Sequence, residues 1–198
     1  MTAVAIFIEP QGELKTSLLT WKKNVEEELP GQPYCAHPPH CTLIHVNVKG
    51  EDLVGERICQ AQPPLFPFQV QVSGTDVFWD DTATGGHTLY LKITPSSELL
   101  DVQLRLAEAI SPAVLPKEVP AFVENNQNLK NSYKKYGFPF VGSHWIPHFS
   151  IASLRTERSH PLITEFLSWQ PVYEFTIGEL TLWRIESDEH TLIGNYTL

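Results

Sequence analysis

The chain is 198 residues long and 42% hydrophobic, enough to bury a sizeable core as a single domain. Its 14 Lys and Arg stand against 23 Asp and Glu, a net charge of −9, which argues against extended binding along duplex nucleic acid and leaves a small or short anionic ligand open. Cys35, Cys41 and Cys59 are odd in number and form no Cys-x-x-Cys pair, so neither a disulfide framework nor a structural zinc site is expected, and a reducing compartment, cytoplasmic or nuclear, is.

Residues 3–8 read as a buried strand, too short and too poor in basic flanks for a signal peptide. No segment approaches a membrane span. Over 14–29, Leu14, Leu18, Leu19, Val25 and Leu29 fall near helical spacing, closed by Pro30-Gly31. A turn rich in proline (Pro33, Pro38, Pro39) delivers a strand over 40–48, and a helix over 51–60 is stopped by Pro63-Pro64. Strands over 67–73, 75–79 and 88–94 follow, then a helix over 96–110 with Ser96 as its N-cap. Pro112, Pro116 and Pro120 forbid a long helix after it. Residues 117–143 are polar and read as a functional loop or partly helical insertion. A second motif strand beginning at His148, a helix over 161–169 and a terminal hairpin (172–184, 190–197) complete the chain. Strands outnumber helices and are joined too tightly for parallel crossovers, which predicts an α+β protein with largely antiparallel sheets.

Two tetrapeptides carry chemistry. His40-Cys41-Thr42-Leu43 and His148-Phe149-Ser150-Ile151 are both His-x-Ser/Thr-hydrophobic, and each follows a proline, Pro39 or Pro147. Side chains alternate along a strand, so His40 shares a face with Thr42 and His148 with Ser150. Random placement yields roughly half such a match in a chain of this composition, so one occurrence means nothing. The surroundings add weight. Each unit is followed by a helix, an alternating strand, a strand containing Trp (Trp79, Trp183), an acidic turn and His-Thr-Leu (His87, His190). That order points to a diverged internal repeat, about 32–94 and 140–198, within a single bilobal domain.

With these motifs the chain resembles the 2H phosphoesterase superfamily, whose signature is two His-x-Ser/Thr-x units on strands of two pseudosymmetric lobes. The resemblance spans nearly the whole chain. It implies lobes of mainly antiparallel sheet with flanking helices around a central cleft, and an activity among cyclic nucleotide phosphodiesterases, RNA-end exonucleases and 2′-5′ oligoadenylate phosphodiesterases.

Phosphodiester transfer at a ribose needs a base for the attacking oxygen and an acid for the leaving oxygen. Histidine fills either role near neutral pH, and neighbouring hydroxyls supply donors to the phosphoryl oxygens. The expected catalytic pair is His40 and His148, with Thr42 and Ser150 binding phosphate and no metal or cofactor required. Which histidine is the base stays open. Tyr133, Tyr136 and Trp145, interleaved with Lys134, are candidate substrate contacts, since aromatic rings stack on bases. His87 and His190 lack a hydroxyl two residues on and read as structural. His45 falls on the face opposite His40, His37 and His160 read as surface loop residues, and Trp79 and Trp183 read as core. Pro147 between His144 and His148 argues for extended chain and against a metal pair. The reading is an enzyme acting on a small nucleotide or short RNA, as a monomer, most simply opening a 2′,3′-cyclic phosphate. The alternatives are a 2′-5′ oligoadenylate phosphodiesterase, an RNA 3′-end exonuclease, or a binding module without catalysis.

Overall fold

Hydrophobic runs with β-branched residues open the chain and form the first strand, and the rest of the molecule is layered around it. A computed structural model describes residues 2–61, 67–115, 117–186 and 189–198. Its elements are β1 (Thr2–Ile8), α1 (Gly12–Glu28), β2 (Cys41–Val48), α2 (Glu51–Ala61), β3 (Phe68–Asp81), β4 (Gly86–Ile93), α3 (Ser97–Ile110), α4 (Ala121–Glu124), α5 (Gln127–Tyr136), β5 (His148–Leu154), α6 (Pro161–Ser168), β6 (Val172–Ile177), β7 (Glu179–Glu186) and β8 (Glu189–Thr197). The predicted stop at Pro63-Pro64, Pro116 and part of the second acidic turn fall outside the described residues.

Two four-stranded sheets result, ordered β2-β1-β7-β8 and β5-β4-β3-β6, with every pairing antiparallel. The α+β antiparallel expectation holds. Each motif strand, β2 or β5, is the edge strand of its sheet. The two halves of the apparent repeat are interleaved in space. β3 and β4 follow the first motif in sequence but share a sheet with the second, while β7 and β8 follow the second motif and share a sheet with the first. One continuous core joins both sheets and their helices, with Leu43, Leu91, Phe149, Ile151 and Phe166 fully enclosed.

Two departures from expectation have local causes, and the partly helical insertion takes a definite form. The strands expected over 67–73 and 75–79 are one strand, β3. Its register shifts between Val72 and Thr75, where Gly74 sits at φ +85°, so the strand bends without ending and pairs first with β6, then with β4. The segment expected as one hairpin arm over 172–184 is two strands, because the chain leaves one sheet at Ile177 and enters the other at Glu179. Within 117–143, α5 is a capped helix. The Asn126 side chain accepts from the N–H groups of Asn128 and Leu129, and Gly137 closes the other end at φ +70°.

Candidate active site

Each motif histidine is held by the same device. The Nδ1 of His40 lies 2.7 Å from the Pro38 carbonyl, and that of His148 lies 2.6 Å from the Ile146 carbonyl. A carbonyl only accepts, so Nδ1 carries the proton in both rings and Nε2 is left with its lone pair. The intervening prolines, Pro39 and Pro147, have fixed φ and no N–H of their own, which keeps the turn that presents each carbonyl rigid.

The rings rest on aromatic side chains of their own sheets. His40 stacks on Phe7 at 3.8 Å and 15°. His148 meets Tyr90 and Phe78 edge-on, at 5.2 and 5.0 Å. Phe7 pairs with Thr42 in one ladder and Tyr90 with Ser150 in the other, so the pairing is equivalent in the two sheets while the ring contacts differ. Thr42 and Ser150 are half-buried, and no hydrogen bond engages either hydroxyl among the described residues. The motif strands also touch each other: the Trp145 indole N–H donates to the Thr42 carbonyl at 2.9 Å.

Electrostatics distinguish the two imidazoles. Burial pushes His40 down to about 3. The hydrogen bond to the Pro38 carbonyl opposes that shift, and the nearby His190, Lys22 and His37 reinforce it. Burial lowers His148 as well, but there the Ile146 carbonyl and the Asp81 carboxylate both act to raise it. The Asp81 carboxylate has no counterpart at His40, where every neighbouring side chain named acts to lower the ring's pKa.

The remaining candidates distribute unevenly. His190, expected to be structural, lies beside the site: its ring is 5.8 Å from His40, 6.1 Å from Phe7 and 4.4 Å from His37. A crevice there is lined by Phe7, Glu9, Pro39, His40, Trp183 and His190. His37, expected on a surface loop, belongs to the same cluster. No group of three or more His, Cys, Asp or Glu among the described residues is arranged to hold a metal ion. His87 does have a structural setting, buried against Trp79 and accepting from the Asp80 N–H. Trp79, expected in the core, is 41% exposed with Arg158 over its ring.

His45 corrects the period-two argument. The β1–β2 ladder skips Leu43, pairing Ile6 with Ile44 and Phe7 with Thr42. Leu43 and Ile44 are both buried in consequence, and exposure resumes at His45, which returns to the face of Thr42. Tyr136 and Trp145 are buried, 9% and 6% exposed, so both pack as core rings and neither offers the open face that stacking on a base requires. Tyr133 is half-buried and donates to the Glu118 carbonyl, and Lys134 is exposed.

Solved structures share the fold that carries these residues. TT0787 of Thermus thermophilus superposes with a TM-score of 0.63 at 15% identity, covering 99% of this chain and 97% of that one. Escherichia coli LigT without ligand gives 0.63 at 12% identity over 99% and 96% of the two chains, and its complex with 3′-AMP gives 0.62 at 12% over 100% and 98%. The TM-scores and coverage establish a shared fold at low sequence identity. No curated protein matches the sequence. The family model of the 2′-5′ RNA ligase superfamily matches residues 10–189, and with 180 of 198 positions inside that match the chain belongs to this superfamily of 2H phosphoesterases.

Proposed function

We propose that the protein is a metal-independent phosphodiesterase that hydrolyses a 2′,3′-cyclic phosphate on a small nucleotide or RNA end, with His40 as base and His148 as acid. One observation carries the reading. Two imidazoles have Nδ1 tied to a backbone carbonyl, and each stands beside a hydroxyl that no described residue engages. His40 Nε2 takes a proton from water as the water oxygen bonds to phosphorus. The phosphorus–oxygen bond to the ribose breaks, and the departing oxygen takes its proton from His148 Nε2. Thr42 and Ser150 donate to the non-bridging oxygens. An entering phosphate anion raises the pKa of an imidazole beside it, and the Asp81 carboxylate acts on His148 in the same direction. Escherichia coli LigT has been solved with 3′-AMP and with ATP, ligands of the chemical class proposed here.

The test is a panel of 2′,3′-cyclic nucleotides, 2′-5′ and 3′-5′ oligonucleotides and cyclic dinucleotides, run with EDTA and with products resolved as 2′- or 3′-phosphates. Opening of the cyclic phosphate in chelator, lost by roughly 1,000-fold or more in His40→Ala and in His148→Ala, is expected, with the double variant losing little more because the pair acts as a unit. Faster turnover of 2′-5′ oligomers moves the assignment to the sister activity. A folded His148→Ala protein with full turnover removes the catalytic pair.

A further inference from the structure

The two motif strands share a defect and a repair. In β2 the ladder skips Leu43, and in β5 it skips Ile151, pairing Leu89 with Ala152 and Tyr90 with Ser150. Both skipped residues occupy the fourth position of their motif, directly after the hydroxyl residue, and both are 0% exposed. A buried carbonyl displaced from its ladder must find a donor elsewhere. For Leu43 that donor is Gln103 Nε2 of α3, at 3.1 Å. For Ile151 it is Lys22 Nζ of α1, at 2.8 Å. Gln103 is 0% and Lys22 5% exposed, so each polar group is fully committed to this role.

The same two side chains reach across to the opposite motif. Lys22 also donates to the Tyr34 carbonyl at 2.6 Å, and Tyr34 lies six residues before His40. Gln103 accepts from the Gly142 N–H at 3.0 Å, and Gly142 lies six residues before His148. Gln103 also donates to the Phe140 carbonyl at 3.0 Å. Tyr34 and Gly142 both adopt left-handed backbone, at φ +69° and +62°, a conformation that costs a non-glycine residue energy and persists where its surroundings hold it. So one helix side chain ties the bulge of motif strand β5 to the approach of His40, and another ties the bulge of β2 to the approach of His148.

From this correspondence we infer that Lys22 and Gln103 are paired positioning residues, setting the register of the motif strands and hence the placement of His40 against His148. A shift of either bulge is transmitted to the opposite histidine through a rigid turn. An acid and a base acting on one phosphorus tolerate little displacement, because misplacement by about an ångström costs on the order of 100-fold in rate. Two chemically different groups, an ammonium and an amide, fill equivalent places, so the shared feature is the donor geometry rather than the charge.

The inference rests on the acid and base assignment of the histidines, and the two are separable by experiment. The Trp145 indole N–H bonded to the Thr42 carbonyl crosses between the motif segments, so its hydrogen exchange reports their register without any substrate. Lys22→Met and Gln103→Leu should each accelerate that exchange at least tenfold. Ile163→Ala, a core cavity on α6 that removes no hydrogen bond to either bulge, should leave it within threefold at matched loss of Tm. In turnover, both variants should lose roughly 10- to 100-fold in kcat with KM within threefold, and Lys22→Gln, which restores amide donors, should recover part of the loss. Should Lys22→Met fail to fold, Lys22→Gln and Gln103→Leu carry the test. Unchanged Trp145 exchange in the folded variants, or an equal rise in Ile163→Ala, overturns the positioning role. An enzyme indifferent to His40→Ala overturns the acid and base assignment instead.

Discussion

At the scale of single residues, the candidate site is made of side chains whose alternatives have been removed. His40 and His148 have one nitrogen committed to a carbonyl two residues back, so a ring flip would cost that bond and orientation is settled before any ligand arrives. Thr42 and Ser150 are the complement, half-buried hydroxyls with nothing among the described residues to satisfy them. Replacing either by Ala should lower kcat roughly 10- to 1,000-fold, as loss of one donor to a developing oxyanion does. Circular dichroism and Tm should remain close to wild type, since each side chain lies at the edge of the core. Full activity in both variants would leave the hydroxyls as ordinary strand residues. The pairing of imidazole and hydroxyl was legible in the sequence because it depends only on period-two alternation within a few residues. The approach of His190 to His40 was not. It comes from β8, separated from β2 by two intervening strands, and no local pattern encodes it.

At the scale of elements, the irregularities matter more than the regular strands. The bulges at Leu43 and Ile151 were invisible in sequence because a bulge is a property of a ladder, and the partner strands β1 and β4 lie at different distances along the chain. The reading that set His45 opposite His40 failed for that reason. Lys22 and Gln103 were hidden in another way. Each sits in a helix among polar neighbours, Lys23 and Asn24 or Asp101 and Arg105, and only the packed structure shows their burial. The cap of α5 is an element-scale feature with a measurable consequence. Gly137 holds φ +70°, and a Cβ there would lie 2.3 Å from Val114 Cγ1. Gly137→Ala combines about 1–2 kcal/mol of left-handed strain with an overpacking cost of about 1–3 kcal/mol. Gly31 has φ +74° and open space around it, so Gly31→Ala should show the conformational part alone. Thermal unfolding should place Gly137→Ala well below Gly31→Ala, and equal Tm values would mean that Val114 yields freely.

At the scale of the whole molecule, two sheets share one core, and the contacts that join them include charge placed where water is absent. Lys22 is the clearest case. Its hydrogen-bond acceptors are the Tyr34 and Ile151 carbonyls, with no carboxylate among them, and burial pushes its pKa down to about 8, Cys35 acting in the opposite sense. The consequence for stability has a definite sign. Below pH 8 the lysine is protonated both folded and unfolded, and the cost of burying the charge is felt in full. Between pH 8 and the ordinary value of 10.5 the unfolded chain binds more protons than the folded one, so the lysine's contribution to stability rises with pH. The difference corresponds to about 3 kcal/mol, at roughly 1.36 kcal/mol for each pH unit between the two values. Cys35 and Tyr34, whose own pKa values burial raises, titrate in the opposite sense, and His40 faces the lysine but has lost its proton well below this window. The measurement is therefore differential. Urea unfolding of the Cys35→Ala protein, with and without Lys22→Met, is compared at steps from about pH 7 to about pH 10. The gap in unfolding free energy between the two proteins should move in favour of the lysine-containing one as pH rises, approaching about 3 kcal/mol of change across the window. A gap that stays constant over that range would mean that Lys22 keeps an ordinary pKa and that its charge is compensated inside the fold.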